Sequence, residues 1–156
     1  MSIPKLEVEK ARESRPERRL RKTLLVIDDE SLIRWSIREA LRRDHRVRVA
    51  SSAEEAFRLL PTLKALDGVL VDVRLPGMDG LTFCREVRAL WPRVKVFVMT
   101  AFNHDTAARD AFGVHADGYL AKPFSIELLR DMLTSHLGGA LPERDPEIRI
   151  ALERKP

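Results

Sequence analysis

The stretch "GVLVDVRLPGMDG", residues 68–80, contains one acidic side chain inside a run of aliphatic ones. Residues 69–71 and Val73 predict a strand that is buried on both faces, yet Asp72 lies within it. Burying an unpaired carboxylate costs several kcal/mol, a large part of the ~5–15 kcal/mol that stabilises a typical domain. Asp72 therefore indicates a site in which other groups offset its charge.

Short apolar runs alternate with amphipathic stretches along most of the chain. The runs predict five strands, over residues 23–27, 46–50, 68–73, 94–99 and 118–121. The stretches predict five helices, over residues 31–43, 53–60, 81–90, 105–112 and 126–137. Ser125 is the predicted N-cap of the last helix, and the glycine pair at 138–139 its end. This alternation is typical of an α/β fold, in which helices cover both faces of a parallel sheet.

Length and composition indicate one soluble domain with additional segments. The chain has 156 residues, and its hydrophobic content of 44% is that of a globular protein. Cys84 is the single cysteine, which excludes an internal disulfide bond. No apolar stretch is long enough for a signal peptide or a membrane span. We therefore expect a cytoplasmic protein without membrane insertion.

The net charge of +4 comes from the N-terminus. Residues 1–22 contain eight Lys and Arg against four Glu, and subtracting these from the totals of 28 and 24 leaves 20 of each sign. This balance argues against a nucleic-acid partner. We predict a basic, flexible extension at 1–22, one domain at 23–137, and a tail or linker at 138–156 that contains no output domain.

Polar side chains follow four of the predicted strands. They are Asp28 and Asp29 after the first strand, Asp72 on the third, Thr100 after the fourth and Lys122 after the fifth. The carboxyl ends of parallel strands meet at one edge of the sheet, where α/β proteins bind their ligands. Each residue alone has an ordinary structural explanation, such as helix capping by Asp28. Their common position predicts one functional site.

The residue types in this set predict phosphoryl chemistry. Three clustered carboxylates repel one another unless a cation joins them, and hard oxygen ligands suit Mg²⁺. Asp72 would then attack a phosphoryl group as a carboxylate nucleophile and form an aspartyl phosphate. The metal and Lys122 would neutralise the developing charge, while Thr100 donates a hydrogen bond to a phosphoryl oxygen.

Three other functions use similar residues. The segment "TLLVIDDE" (23–30) resembles a nucleoside triphosphatase strand, but the chain lacks the G-x-x-x-x-G-K-[ST] phosphate loop. A phosphatase with an aspartate nucleophile would carry an Asp-x-Asp pair, whereas Asp72 is followed by Val73 and Arg74. A docking module of the same fold, working without phosphorylation, would have no need of all five polar residues.

Four motifs together resemble the receiver domain of two-component response regulators. They are "VIDDE" (26–30), "VDVRLPGMDG" (71–80), "VMTA" (98–101) and "GYLAKPF" (118–124). The resemblance covers residues 23–137 in full order. It implies a flavodoxin-like (βα)5 fold, with a doubly wound parallel sheet of five strands in the order 2-1-3-4-5 and helices on both faces.

The resemblance also implies a role for each residue of the site. Asp72 would accept a phosphoryl group from the phosphohistidine of a sensor histidine kinase or of a histidine phosphotransfer protein. Lys122, joined to Pro123 by a cis peptide bond, would bind that group. The Mg²⁺ ligands would be Asp28, Asp29, Asp72 and the backbone carbonyl of Arg74.

Phosphorylation in this family biases a two-state switch. The resemblance implies that Thr100 moves toward the phosphate while Tyr119 turns inward, which changes the surface of the fourth helix, fifth strand and fifth helix. That surface would bind an unidentified downstream protein or a second copy of the chain. Such a receiver catalyses only its own phosphorylation and dephosphorylation, so we expect a signalling protein and not an enzyme that acts on other substrates.

Arg74 and Phe102 lie two residues beyond Asp72 and Thr100, at positions where the family tunes the loss of phosphate. A long cation and a bulky ring there would obstruct the hydrolytic water, which predicts a slowly decaying phosphorylated state. The alternative is that both side chains turn away from the site.

Trp35 lies opposite the apolar stripe of the first predicted helix, beside Arg38 and Arg42. An exposed tryptophan among arginines is a candidate partner contact, because this helix faces the kinase or the phosphotransfer protein in the family. The alternative is a ring that lies on the arginine stems or against the N-terminal extension.

The segment "LIRWSIREAL" (32–41) resembles receivers attached to nitrogen-regulation-type transcription activators. Two interpretations follow. The chain is a single-domain response regulator whose output is a binding event, or it is a receiver fragment of a transcription activator.

Overall fold

The computed structural model describes residues 21–101, 113 and 115–138. Five parallel strands form one sheet in the order β2-β1-β3-β4-β5, which confirms the predicted flavodoxin-like topology. The strands are β1 (Lys22–Ile27), β2 (His45–Ala50), β3 (Gly68–Asp72), β4 (Lys95–Thr100) and β5 (Gly118–Ala121). The helices described are α1 (Ser31–Leu41), α2 (Ala53–Leu59) with a 3-10 turn at Leu60–Thr62, α3 (Gly80–Leu90) and α4 (Ile126–Leu137). None of these helices has the length and apolar character that crossing a bilayer requires.

Burial of the strands follows their place in the sheet. The inner strands β1, β3 and β4 are buried almost throughout, as their uninterrupted apolar runs predict. β2 lies at an edge, where Arg46 and Arg48 are exposed between residues that face the core. Charged side chains on an edge strand oppose pairing with another chain.

Two hydrophobic clusters cover the two faces of the sheet. One contains Leu41 of α1 and Leu129 of α4, and the other contains Ala56 of α2 and Phe83 of α3. The helices therefore pack on both faces, as predicted, and their anchoring holds the carboxyl ends of the strands in one row.

Three helices begin at capping side chains. Ser52, Asp79 and Ser125 each accept a hydrogen bond from the backbone N–H three residues further along. The cap at Ser125 and the end of α4 at Gly138, which has a φ of 70°, confirm the prediction for this helix. α4 corresponds to the fifth helix of the sequence prediction.

The element bounds differ from the sequence prediction by one or two residues. β1 begins at Lys22, inside the predicted extension, because Lys22 pairs with His45 of β2. α1 ends at Leu41 and not at residue 43, since the Asp44 N–H turns back to the Leu41 carbonyl. The predicted helix at 105–112, residues 1–20 of the extension and the tail from residue 139 lie outside the described residues.

Candidate functional site

The structure brings the polar residues at the strand ends to one edge of the sheet. β1 and β3 are neighbours, and their last paired residues are Ile27 and Val71. Asp28 and Asp72 come directly after this pair, so the two aspartates lie side by side. Asp28 is fully buried and Asp72 is 7% exposed. The strand order changes direction between β1 and β3, which is where open α/β sheets bind ligands.

Three carboxyl groups converge at this edge. One oxygen from each of Asp28, Asp29 and Asp72 lies within 4.8 Å of the other two. Asp29 is exposed while the other two are buried, so the group opens to solvent on one side. Carboxylate oxygens with access to water are the ligands that suit Mg²⁺. The three residues therefore fit the divalent cation that the resemblance implies.

The Lys122 ammonium bridges two of these carboxyl groups. Its Nζ donates to Asp28 Oδ2 at 2.5 Å and to Asp72 Oδ2 at 2.8 Å. Glu30 Oε1 lies 3.5 Å from the same nitrogen. Burial acts to lower the pKa of Lys122, but the hydrogen bonds and charges of the two aspartates outweigh it and raise that pKa above its ordinary value. Lys122 is therefore charged at neutral pH.

A single ammonium does not neutralise three carboxylates. Burial raises the pKa of the Asp28 carboxyl above its ordinary value, and the charge of Asp72 acts in the same direction. Hydrogen bonds from Lys122 and from the Glu30 N–H oppose this rise. The excess negative charge means that a divalent cation would stabilise the group.

Asp72 has hydrogen-bond partners on both of its carboxyl oxygens. Oδ2 accepts from Lys122, and Oδ1 accepts the Arg74 N–H at 2.9 Å. Because charge-assisted hydrogen bonds replace the lost hydration, the carboxylate is tolerated at the end of a buried strand.

The loop between β3 and α3 packs closely on Asp72. A Cβ atom at Gly80 would lie 2.0 Å from the Asp72 carbonyl oxygen, so a side chain at this position requires the backbone to shift. Gly77 has a φ of 79°, and Met78 donates its N–H to Glu54 Oε1 at 2.8 Å. α2 therefore holds the loop that follows Asp72.

The residues implied for the switch lie on β4 and β5. Thr100 is 4% exposed, and its carbonyl accepts the Lys122 N–H, which links the two strand ends. The Lys122–Pro123 peptide bond is cis, as the resemblance implies. The Tyr119 side chain is at the surface, 38% exposed.

Two residues near the acidic pair were not singled out from the sequence. Glu30 approaches Lys122, and Arg34 of α1 donates from Nη1 to the carbonyl oxygens of Asp28 at 2.7 Å and Asp29 at 3.0 Å. Charged residues at the start of a helix are usually solvated, so the charge pattern of the sequence did not indicate either contact. The position of Glu30 directly after the acidic pair was the one available indication.

Two further candidates, Trp35 and the Arg74 side chain, are exposed. Trp35 is 62% exposed on α1, on the side away from the buried Ile37 and Leu41, as the helical periodicity predicts. The Arg74 side chain is exposed, and Phe102 lies outside the described residues.

Comparison with known families identifies the domain. The family model of the response regulator receiver domain matches residues 24–134. The chain belongs to this family. The matched range includes all the acidic strand-end residues, Thr100 and Lys122, and it confirms the resemblance on which the sequence interpretation rests.

Several curated response regulators are similar to this receiver domain over most of its length. It is 35% identical to the response regulator protein FleR of Pseudomonas aeruginosa, covering 85% of this chain and 28% of that one. It is 36% identical to the DNA-binding transcriptional regulator NtrC of Klebsiella pneumoniae, covering 71% and 24%. It is 31% identical to the response regulator MprA of Mycobacterium avium, covering 80% and 54%. The chain thus spans at most 54% of the length of these three relatives.

Solved receiver domains have the same fold. The BeF3-activated DrrB receiver domain matches with a TM-score of 0.70 at 28% identity, covering 77% of this chain and all of that one. The response regulator protein TrrA from Thermotoga maritima, solved in complex with Mg²⁺-BeF, matches with a TM-score of 0.65 at 29% identity, covering 74% and 99%.

Proposed function

We propose that this receiver domain accepts a phosphoryl group on Asp72 from the phosphohistidine of a sensor histidine kinase or a histidine phosphotransfer protein. The observation that carries the proposal is the bridge from Lys122 Nζ to both Asp28 and Asp72. It puts a cation beside the buried carboxyl groups of Asp28 and Asp72, with the exposed Asp29 carboxyl group within 4.8 Å of both. Receivers and histidine kinases together form two-component systems, and the family membership supports this class of donor.

In the transfer step, a carboxylate oxygen of Asp72 forms a bond to phosphorus while the bond from phosphorus to the histidine nitrogen breaks. The electron pair of that bond returns to the nitrogen, and the imidazole, which carries a proton on its other nitrogen, leaves as the neutral ring. Lys122 is within hydrogen-bond reach of Asp72 and would neutralise the phosphoryl oxygens as they arrive. Thr100, at the end of the neighbouring strand, would donate its hydroxyl to one of them.

The acidic set would hold Mg²⁺ through Asp28, Asp29, Asp72 and the carbonyl of Arg74. Bound there, the ion supplies charge neutralisation for the phosphoryl group. TrrA, in complex with Mg²⁺-BeF, is a relative with the same fold, which supports this choice of metal.

Phosphorylation would be read out through the switch residues. Thr100 would follow the phosphoryl group, and Tyr119, which is at the surface, would turn inward. We propose that the changed β5 and α4 surface binds a downstream protein or a second phosphorylated copy in a homodimer. The protein would act in the cytoplasm and catalyse no reaction other than its own phosphorylation and dephosphorylation.

A second candidate role concerns the output. FleR and NtrC are both similar to this chain over their receiver regions, and NtrC is a DNA-binding transcriptional regulator. Their similarity, together with the segment at 32–41, favours a receiver related to those of transcription activators. In that role the phosphorylated surface would control an attached or associated transcription factor.

Incubation with Mg²⁺ and acetyl phosphate tests the proposed phosphorylation. We expect the intact mass to rise by one phosphoryl group, and we expect EDTA or the substitution Asp72→Asn to abolish the rise. Asp79→Asn is a matched control, since Asp79 caps α3 in the same loop and asparagine caps equally well. Uptake that persists in Asp72→Asn contradicts the proposal, and no uptake by the wild type favours the docking module.

The lifetime of the phosphate is a separate prediction. We propose that Arg74 and Phe102 slow the entry of the hydrolytic water, so that the phosphorylated state decays slowly. An acid-quench time course after removal of the donor measures this decay, and Arg74→Ala should accelerate it. Loss of the wild-type phosphate within seconds would show that both side chains turn away from the site.

A further inference from the structure

We propose that Arg34 is a positioning residue for the acidic pair, and that it maintains the geometry in which Asp28 and Asp29 bind the divalent cation. This inference rests on the proposed function, because it concerns the same metal site. Neither the family match nor the sequence motifs assign a role to Arg34.

The contacts of Arg34 are with the backbone of the acidic pair. The side chain is half-buried and extends from the first turn of α1 back to the end of β1. One nitrogen, Nη1, donates to the Asp28 carbonyl at 2.7 Å and to the Asp29 carbonyl at 3.0 Å. These carbonyls lie beyond Ile27, the last paired residue of β1. The Asp28 N–H still donates to the Ala50 carbonyl of β2, and the contacts of Arg34 add to this one.

The guanidinium contacts the carbonyl oxygens and leaves the carboxyl oxygens free for other groups. It therefore contacts the backbone of the turn, whereas Lys122 contacts the Asp28 carboxyl group. A planar guanidinium is suited to two acceptors held at a fixed separation, whereas a lysine ammonium acts as a point charge. The turn between β1 and α1 is thereby fixed at two consecutive residues.

Charge and positioning predict opposite effects on metal affinity. Removing a positive charge near an acidic cluster strengthens the attraction of a divalent cation, so a purely electrostatic role predicts tighter Mg²⁺ binding in Arg34→Ala. Loss of a positioning contact displaces the ligands and weakens binding, typically by ~10-fold or more for groups that orient metal ligands. The sign of the change therefore separates the two roles.

The test is a calorimetric titration of the full chain with Mg²⁺, using wild type, Arg34→Ala and Arg38→Ala. Arg38 is exposed one turn further along α1, so its removal makes the same change of charge without touching the acidic turn. We expect Arg34→Ala to bind Mg²⁺ about 10-fold more weakly, and Arg38→Ala to bind as tightly as wild type or slightly more tightly. Arg34→Lys keeps the charge and should fall between wild type and Arg34→Ala.

Thermal melts without Mg²⁺ show whether each variant is folded. If Arg34→Ala is unfolded, the Mg²⁺ affinities of Arg34→Lys and wild type are compared instead, and weaker binding by Arg34→Lys is expected. Equal or tighter binding by Arg34→Ala overturns the inference and leaves the proposed function intact. Equal weakening by Arg38→Ala also overturns it, since the effect would then not depend on the contact between Arg34 and the acidic turn. A wild type that binds no Mg²⁺ overturns both the inference and the metal site of the proposed function.

Discussion

Asp72 is tolerated in a buried strand because its two oxygens have different partners. Oδ2 accepts from an ammonium and Oδ1 from a backbone N–H two residues further on. The same arrangement puts the carboxyl group beside a cation that can neutralise an incoming phosphoryl group. At the scale of single residues, the buried carboxyl group that makes β3 unusual is therefore also its reactive group.

Gly80 shows how tightly the chain packs around this residue. We expect Gly80→Ala to lower the free energy of unfolding by about 1–3 kcal/mol, because the added Cβ would lie 2.0 Å from the Asp72 carbonyl and 2.9 Å from Val71 Cγ1. Phosphorylation should fall as well, since relief of the contact shifts the Asp72 backbone. Denaturant unfolding and the acetyl phosphate assay measure the two effects.

Gly113→Ala is the matched control for this prediction, because a Cβ at Gly113 meets no atom of the described residues within 4 Å. It should leave stability unchanged or slightly improve it. Equal free energies of unfolding for Gly80→Ala and wild type would contradict the prediction, because the backbone would then accommodate the added Cβ beside the Asp72 carbonyl without loss of stability.

The sequence predicted the residues whose position alone determines their neighbours. Asp28, Asp72, Thr100 and Lys122 lie at one edge because each is at the carboxyl end of a parallel strand, and strand ends can be located from apolar runs. Arg34, Glu30 and Glu54 could not be found in this way, because the direction of a long side chain on a helix depends on the packing of that helix. The exposure of Trp35 followed directly from the helical period of α1.

At the scale of elements, α2 supports the loop that carries the implied metal-binding carbonyl. Its residue Glu54 accepts the Met78 N–H, and this hydrogen bond is the first cause of the lowered pKa of the Glu54 carboxyl. The loop contains Gly77 in the left-handed region, a conformation that an external hydrogen bond helps to maintain. The element that holds the loop thus lies outside the site itself.

We expect Glu54→Ala to accelerate amide hydrogen exchange at Met78, because the N–H loses its acceptor while the rest of α2 keeps its packing. Glu54→Gln retains a side-chain oxygen in the same place and should preserve most of the protection. Hydrogen exchange measured by NMR provides the comparison. Unchanged exchange in Glu54→Ala would show that this contact does not hold the loop.

The bounds of the last helix were predicted correctly, because its caps at Ser125 and Gly138 could be recognised. The start of β1 was predicted one residue too late, because its partner strand is not visible in the local sequence. Lys22 looked like part of a charged extension, yet it pairs with His45.

At the scale of the whole molecule, alternation of strands and helices predicted a parallel sheet but not the order of its strands. The order came from the family resemblance, and the structure confirms it. The order matters because it makes β1 and β3 neighbours, although β2 lies between them in the chain. Asp28 and Asp72, 44 residues apart in sequence, are thereby brought to the same ammonium.

The most direct test of the central claim is to locate the phosphoryl group after reaction with acetyl phosphate and Mg²⁺. Borohydride reduces an aspartyl phosphate to homoserine, and peptide mass spectrometry then identifies the modified position. We predict homoserine at residue 72 in wild type, with no homoserine when EDTA is present during phosphorylation. Homoserine at Asp28 or Asp29, or none at any position, would contradict the assignment of Asp72 as the phosphoacceptor.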